Sequence, residues 1–314
     1  MARMLRVAAG QLGPIQLKDT RKQAVERLLA LMRQAAAEGA KLIVFPELAL
    51  TTFFPRWFME SQAEIDRYFE REIPGPETMP LFAEAKRLGI GFYLGYAELT
   101  EEEGKTRRYN TAVLVGADGK IAGKYRKVHL PGSEQLRPAL KWQQLEKRYF
   151  EYGNLGFPVF RAFGGIVGMA SCNDRRWPET FRVMGLQGVE LVTIGYNSAA
   201  HDPNGGDESE ALRVFHSNLA AQAGAYQNAT WVVAAAKAGI EDGAGLIGSS
   251  VIVDPNGRIV EQAKTKEDEL LVHDCDLDLC KHGKENMFAF ARHRRPQHYG
   301  IITAQAGITP PPEE

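Results

Sequence analysis

Three residues in this 314-residue sequence have side chains and surroundings suited to chemistry at a carbonyl carbon. Cys172 follows the apolar stretch Gly165–Ser171 and precedes Asn173-Asp174-Arg175-Arg176-Trp177-Pro178-Glu179. It therefore stands where a strand ends and a helix begins near Pro178. A thiol there lies at the carboxyl edge of a strand, where open α/β sheets receive ligands, and as thiolate it is a nucleophile. Taken alone, a cysteine behind a strand is more often a small buried residue. Glu47 closes the run Leu-Ile-Val-Phe-Pro-Glu at 42–47. A carboxylate at the end of an apolar strand is costly to bury unless it is paired or used, and such a group is suited to act as a general base. The bland alternative is a solvated loop glutamate. Lys127 lies in Gly123-Lys-Tyr-Arg-Lys-Val-His129-Leu-Pro-Gly132. An ammonium held near a reacting carbonyl stabilises a developing oxyanion; otherwise the cluster is a solvated basic edge.

These residues need elements to hold them. Residues 20–38 carry Val25, Leu28, Leu29 and Met32 at helical spacing, with Gly39 as C-cap, and Leu42–Phe45 reads as a buried strand. The pattern repeats. Helices are expected at 77–88, 178–187 and 209–227. Strands are expected at Ile90–Tyr96, Val189–Ile194 and Thr230–Ala235. Alternation of this kind implies an α/β fold. Two hairpins interrupt it, Thr111–Val115 with Lys120–Lys124 about Asp118-Gly119, and Ser250–Val253 with Arg258–Gln262 about Asn256-Gly257. The two stretches, VLVGADGKI and VIVDPNGRI, resemble each other. Two similar halves in one sandwich, or unrelated hairpins sharing good turn chemistry, account for this equally well.

Composition narrows the function class. Hydrophobic residues make up 44% and charged residues 25%, the balance of a globular enzyme. A net charge of −1 gives no pull towards nucleic acid or an anionic membrane. No apolar run approaches the ~20 residues of a spanning helix, and the N-terminus is too quickly polar for a signal peptide. The expected location is cytoplasmic. Three cysteines, Cys172, Cys275 and Cys280, argue against a disulfide framework, and the last two have the wrong spacing for a zinc knuckle. A single domain over 1–308 is expected, with a disordered tail at 309–314. Asn228-Ala-Thr230 is a formal glycosylation sequon without meaning in a cytosolic protein.

The three elements F-P-E, K-Y-R-K-x-H-L-P-G and S-C-N-D-x-R-W-P-E occur in that order and together resemble the nitrilase superfamily of carbon–nitrogen hydrolases, from about Val7 to Gly300. Within it, FPELALTTFFPRW (45–57), LEKRYFE (145–151), NLGFPV (154–159), CNDRRWPE (172–179), AGAYQN (223–228) and RPQHYG (295–300) look like the N-carbamoyl-D-amino acid amidohydrolases. The resemblance implies a four-layer α-β-β-α sandwich, assembly into homodimers or homotetramers, and no cofactor or metal. It implies Cys172 as nucleophile and Glu47 as proton shuttle. Lys127 and the backbone N–H of Asn173 would hold the oxyanion. Glu146 matches a second active-site glutamate that orients Lys127 or helps position substrate; a surface pair with Lys147 or Lys141 is the alternative. Arg175, Arg176 and Asn197 would bind the carboxylate of a small carbamoyl substrate, since guanidinium groups clamp carboxylates. His129, beside Lys127, is a further candidate contact.

The sequence departs from the family in two places. At 133–144 it lacks the family's extra histidines and has Gln144 two residues before the second glutamate; at 198–210 it reads SAAHDPNGGDESE rather than a Thr-Pro, Pro-rich loop. Both bear on substrate identity and stereoselectivity. The neighbouring readings are an aliphatic amidase, a β-ureidopropionase-like or carbamoylputrescine-type amidase, and a catalytically silent binding protein.

Overall fold

In the computed structural model, which describes residues 2–313, apolar periodicity sets the elements. Strand β1 (Met4–Gln11) leads to helix α1 (Arg21–Ala37). Thr20 and Gln23 form a reciprocal capping box at the start of α1. Its buried face is Ala24, Val25, Leu28, Leu31, Met32 and Ala35. The chain continues through β2 (Leu42–Val44), α2 (Gln62–Asp66), α3 (Met79–Leu88), β3 (Gly91–Glu102), β4 (Lys105–Val115) and β5 (Ile121–Arg126). Then come α4 (Glu146–Tyr149), β6 (Val159–Ala162), β7 (Gly165–Ser171), α5 (Pro178–Leu186), β8 (Leu191–Tyr196), α6 (Glu210–Asn228) and β9 (Trp231–Ala236). A ribbon of β10 (Ala238–Glu241) and β11 (Ala244–Ile247) precedes β12 (Val251–Val253), β13 (Ile259–Gln262) and β14 (Glu269–Asp276). Short helices α7 (Leu279–Glu285), α8 (Phe290–His293) and α9 (Gly300–Ala304) close the described chain.

The described residues form two six-stranded sheets, ordered β14-β1-β2-β3-β4-β5 and β13-β12-β9-β8-β7-β6. Three apolar layers bind them. Val7, Val44, Tyr93, Leu114, Met169, Leu191 and Val233 meet between the sheets. The opposite face of the first sheet, with Ala8, Ile43 and Phe92, packs on α1 and α3 through Leu28, Met32 and Phe82. That of the second, with Val192, Ile194 and Val232, packs on α5 and α6 through Phe181, Met184 and Ala225. Strands buried on both faces read as continuous apolar runs, as β2 and β8 do. The α/β class and the four-layer α-β-β-α order are as expected.

The two halves are equivalent in topology. Each sheet has three parallel strands, β1-β2-β3 and β7-β8-β9, an antiparallel strand on the first member (β14 or β6), and an antiparallel pair on the last (β4-β5 or β12-β13). The hairpins at Asp118-Gly119 and Asn256-Gly257 thus occupy matching places, which favours two similar halves.

Several elements differ from expectation. β3 runs on to Glu102 and joins β4 through a tight turn at Glu103-Gly104, both at positive φ, 53° and 73°. β1 and β14 were not foreseen, and they pair antiparallel from Met4↔Asp276 to Gln11↔Glu269. Residues 309–313 are exposed without helix or strand; residue 314 of the expected tail, like residue 1, lies outside the described residues. Among the described residues no helix is long and apolar enough to cross a membrane.

Candidate active site

The parallel strands of both sheets deliver their carboxyl ends to one place. Glu47 follows β2, Cys172 follows β7, Asn197 follows β8, and Lys127 follows β5 of the adjoining antiparallel pair. The approach is close because two glycines permit it. A Cβ on Gly95 of β3 would stand 2.7 Å from Glu47 Cα, and one on Gly195 of β8 would stand 2.5 Å from Glu47 N. Glu47, Lys127 and Glu146 are fully buried.

Burying three charges demands that each be paired. Lys127 Nζ donates to Glu47 Oε1 at 2.7 Å and to Glu146 Oε2 at 2.5 Å. An ammonium has three donors, so one N–H is left for another acceptor. Glu47 Oε1 also accepts from Asn110 Nδ2 at 2.8 Å and Ser171 Oγ at 3.4 Å, and its Oε2 accepts from Asn197 N at 3.2 Å. Burial would drive Lys127 down, but Glu146 and Glu47 outweigh it and hold the ammonium above its ordinary range. Burial lifts Glu146 to about 7, against the pull of Lys127 and with repulsion from Glu47. Glu146 therefore pairs with Lys127 and not with Lys147 or Lys141.

Cys172 sits at φ 44°, a left-handed conformation that a side chain adopts at a cost of about 1–3 kcal/mol. It opens a 3-10 turn, Cys172–Arg176. Asp174, fully buried, fixes this turn: its Oδ2 accepts from Ser171 N at 3.1 Å and Tyr125 Oη at 2.6 Å. The N–H of Asn173 falls in the first turn, where backbone donors lack intrahelical partners. Burial, followed by the nearby Glu47 carboxylate, pushes the Cys172 thiol up, so the resting form is S–H. The thiol lies 3.5 Å from Asn197 O.

Cys172, Asn173, Arg176 and Asn197 line a cavity of about 230 Å³, with Gln144, Ala199, Glu208, Arg213 and His216 among its other walls. Asn197 Nδ2 donates to Glu47 O at 2.8 Å, and its buried Oδ1 has no partner among the described residues. Both segments that depart from the family pattern reach the wall, through Gln144 and through 198–208.

Two expected contacts are not brought to the cavity. Arg175 is 2% exposed; it donates to Cys172 O at 2.6 Å, Ser198 Oγ at 2.9 Å and Ser217 Oγ at 3.0 Å, and lies over the Tyr196 ring. Its guanidinium braces the turn, so the expected arginine pair is divided and only Arg176 faces the cavity. His129 Nδ1 lies 2.9 Å from Asp174 Oδ1, and its ring stacks on Phe157 and Trp177. It packs behind the nucleophile turn. Sequence reasoning missed Asn110, which precedes the apolar run 112–115 of β4 among polar residues and gives no local signal. It also missed Asp174, Glu208 and Arg213.

A carbon-nitrogen hydrolase family model matches residues 6–285. N-carbamoylputrescine amidase of Arabidopsis thaliana is 31% identical over 92% of each chain. Citrullinase of Francisella tularensis subsp. tularensis is 29% identical over 95% of this chain and 98% of its own. A carbon-nitrogen hydrolase from Helicobacter pylori G27 superposes with a TM-score of 0.82 at 24% identity, covering 96% of this chain and 99% of that one. Neither named relative is an N-carbamoyl-D-amino acid amidohydrolase.

Proposed function

The chain belongs to the carbon–nitrogen hydrolase family and acts on amide or carbamoyl C–N bonds, and from that premise we propose that its substrates are ureido compounds bearing a carboxylate, N-carbamoyl-D-amino acids first among them. One observation carries this reading. Arg176 lines the cavity beside Cys172, and the only hydrogen bond of its guanidinium among the described residues is a long one, 3.5 Å, to Asn173 Oδ1. Its guanidinium is therefore free to fork onto a carboxylate.

In the proposed reaction Glu47 takes the Cys172 proton as sulfur bonds to the ureido carbon. The carbonyl electron pair moves onto oxygen. The uncommitted N–H of Lys127 and the Asn173 N–H stabilise that oxyanion. Asn197 Oδ1 accepts from the departing amine. The tetrahedral adduct collapses, the C–N bond breaks, and Glu47 returns its proton to release ammonia. A carbamoyl thioester on Cys172 remains. Glu47 then deprotonates a water that attacks the same carbon, and sulfur leaves and recovers the proton. The carbamate product loses carbon dioxide to give the free amino acid. Glu146 acts through Lys127, holding its charge and direction.

A second reading, an amine-bearing carbamoyl substrate, draws on Glu208 in the cavity wall and on the N-carbamoylputrescine amidase likeness. Ammonia release from N-carbamoyl-D- and L-amino acids, β-ureidopropionate, carbamoylated diamines and simple amides decides between them, with Cys172→Ala as control. Cys172-dependent turnover confined to amines or uncharged amides would refute the carboxylate reading.

A further inference from the structure

Arg213 stands in the first turn of α6, far in sequence from the nucleophile, yet it lines the same cavity as Cys172 and Arg176. It is 7% exposed. Its Nε donates to Ala199 O at 2.5 Å and its Nη1 to Glu208 Oε2 at 2.5 Å. Its Nη2 has no acceptor among the described residues. A guanidinium fixed at two of its nitrogens with a third left over is pre-ordered, so binding an anion costs it little further side-chain entropy.

We propose that Arg213 is the second guanidinium of the substrate-carboxylate site, with Arg176 as the first, in the place where the sequence suggested Arg175. The proposal rests on the carboxylate reading given above. Charge around the cavity supports it. The wall carries two guanidiniums, Arg176 and Arg213, against one carboxylate, Glu208. Both oxygens of Glu208 are committed, Oε2 to Arg213 and Oε1 to His216 Nδ1 at 2.6 Å. An incoming ammonium meets, as the one carboxylate among the described wall residues, a Glu208 whose charge is already shared with Arg213. One incoming carboxylate neutralises the surplus positive charge. Arg175 most, with Arg213 adding to it, holds the Arg176 guanidinium below its ordinary range. An anion between Arg176 and Arg213 relieves that repulsion. The substrate class that follows is a monocarboxylate, preferred over dicarboxylates and over amines.

The test uses the N-carbamoyl-D-amino acid that the wild-type enzyme turns over fastest, beside the alkylurea that lacks only its carboxylate. Arg213→Gln is expected to raise KM for the carboxylate substrate by about ten-fold or more, the loss of a charge-assisted contact, with kcat within about two-fold. Its loss on the alkylurea is several-fold smaller than its loss on the carboxylate substrate, and Arg213→Lys falls between. Parallel losses on both substrates, reproduced by Glu208→Gln, would mean that Arg213 only braces Ala199 and Glu208, and would overturn the proposal. An unmoved KM in folded Arg213→Gln would overturn it as well, while leaving the carboxylate reading intact. A wild-type enzyme that hydrolyses the alkylurea but no carboxylate substrate would instead sink the underlying reading.

Discussion

Asn197 and Glu47 hold each other twice: the Asn197 N–H donates to Glu47 Oε2 at 3.2 Å, and its side-chain amide donates to Glu47 O at 2.8 Å. The pair joins the end of β8 in one sheet to the end of β2 in the other. It aims the carboxylate while tethering its backbone. Asn197→Ala should cut kcat by about a hundred-fold, the lower end of what a misplaced general base costs. It should also destabilise the fold by about 1–3 kcal/mol through the orphaned Glu47 carbonyl. Steady-state kinetics and thermal melting check both. A variant with wild-type kcat would show that Glu47 needs no such aim.

Glu146 gives a pH dependence whose sign is fixed. Its buried carboxyl titrates near 7 in the folded protein, against 4.5 for the ordinary group. Between those values the native state holds a proton that the unfolded chain has released. Its contribution to stability is therefore full below about 4.5 and is lost as pH rises through about 7. Urea midpoints of wild type and Glu146→Gln, compared between pH 5 and 8, isolate this: wild type should fall relative to the variant as pH rises. Activity moves the other way, because protonated Glu146 no longer supports the Lys127 charge. kcat/KM should decline below pH 7 in the wild type, and Glu146→Gln should lower kcat while removing that limb. A parallel pH dependence in both proteins would contradict the assignment.

The three thiols should differ in reactivity. Cys172 is raised above its ordinary range but opens on the cavity, whereas Cys275 and Cys280 are buried and pushed up by burial, Cys280 to about 11. Iodoacetamide should label the native protein slowly at pH 7 and faster as pH rises, at Cys172 alone, with the other two labelled after unfolding. Peptide mass spectrometry reads the sites. Rapid labelling of Cys275 in the native state would refute the prediction.

Adjacent arginines should fail in different ways. Arg175→Lys cannot reach Cys172 O, Ser198 and Ser217 together. It should lower kcat about ten-fold, through a displaced nucleophile turn, with KM near wild type. Arg176→Ala should raise KM for carboxylate substrates about ten-fold or more and leave kcat nearly unchanged. Identical kcat and KM changes in the two variants would argue that they act as one clamp.

That division explains where the sequence was readable. A 3-10 turn advances about 120° per residue, so neighbours in it point apart, one inward and one to the cavity; adjacency in sequence hides this. Glu47 and Cys172 stood out because each ends an apolar strand, and Lys127 because of the K-Y-R-K-x-H-L-P-G element around it. The helices α1, α3, α5 and α6 showed their periods, and Gly39, Gly89 and Gly188 marked their ends. The distal parts of β3 and β4, Thr100–Arg108, resemble a loop because both strand faces are polar there. β14 was missed for a similar reason: its burial is partial along most of its length. Arg213 joins Arg176 only through the packing of α6 on the second sheet, which no local pattern announces.

The pairing of β1 with β14 has a consequence for how the protein is made. β1 must wait for β14, which is synthesised long after it, before its outer row of N–H and C=O groups is satisfied. Throughout the intervening synthesis the nascent first sheet offers an open edge, a template for the wrong partner on a crowded polysome. Premature stops that remove Glu269–Asp276 should therefore yield insoluble chains rather than merely slow enzymes.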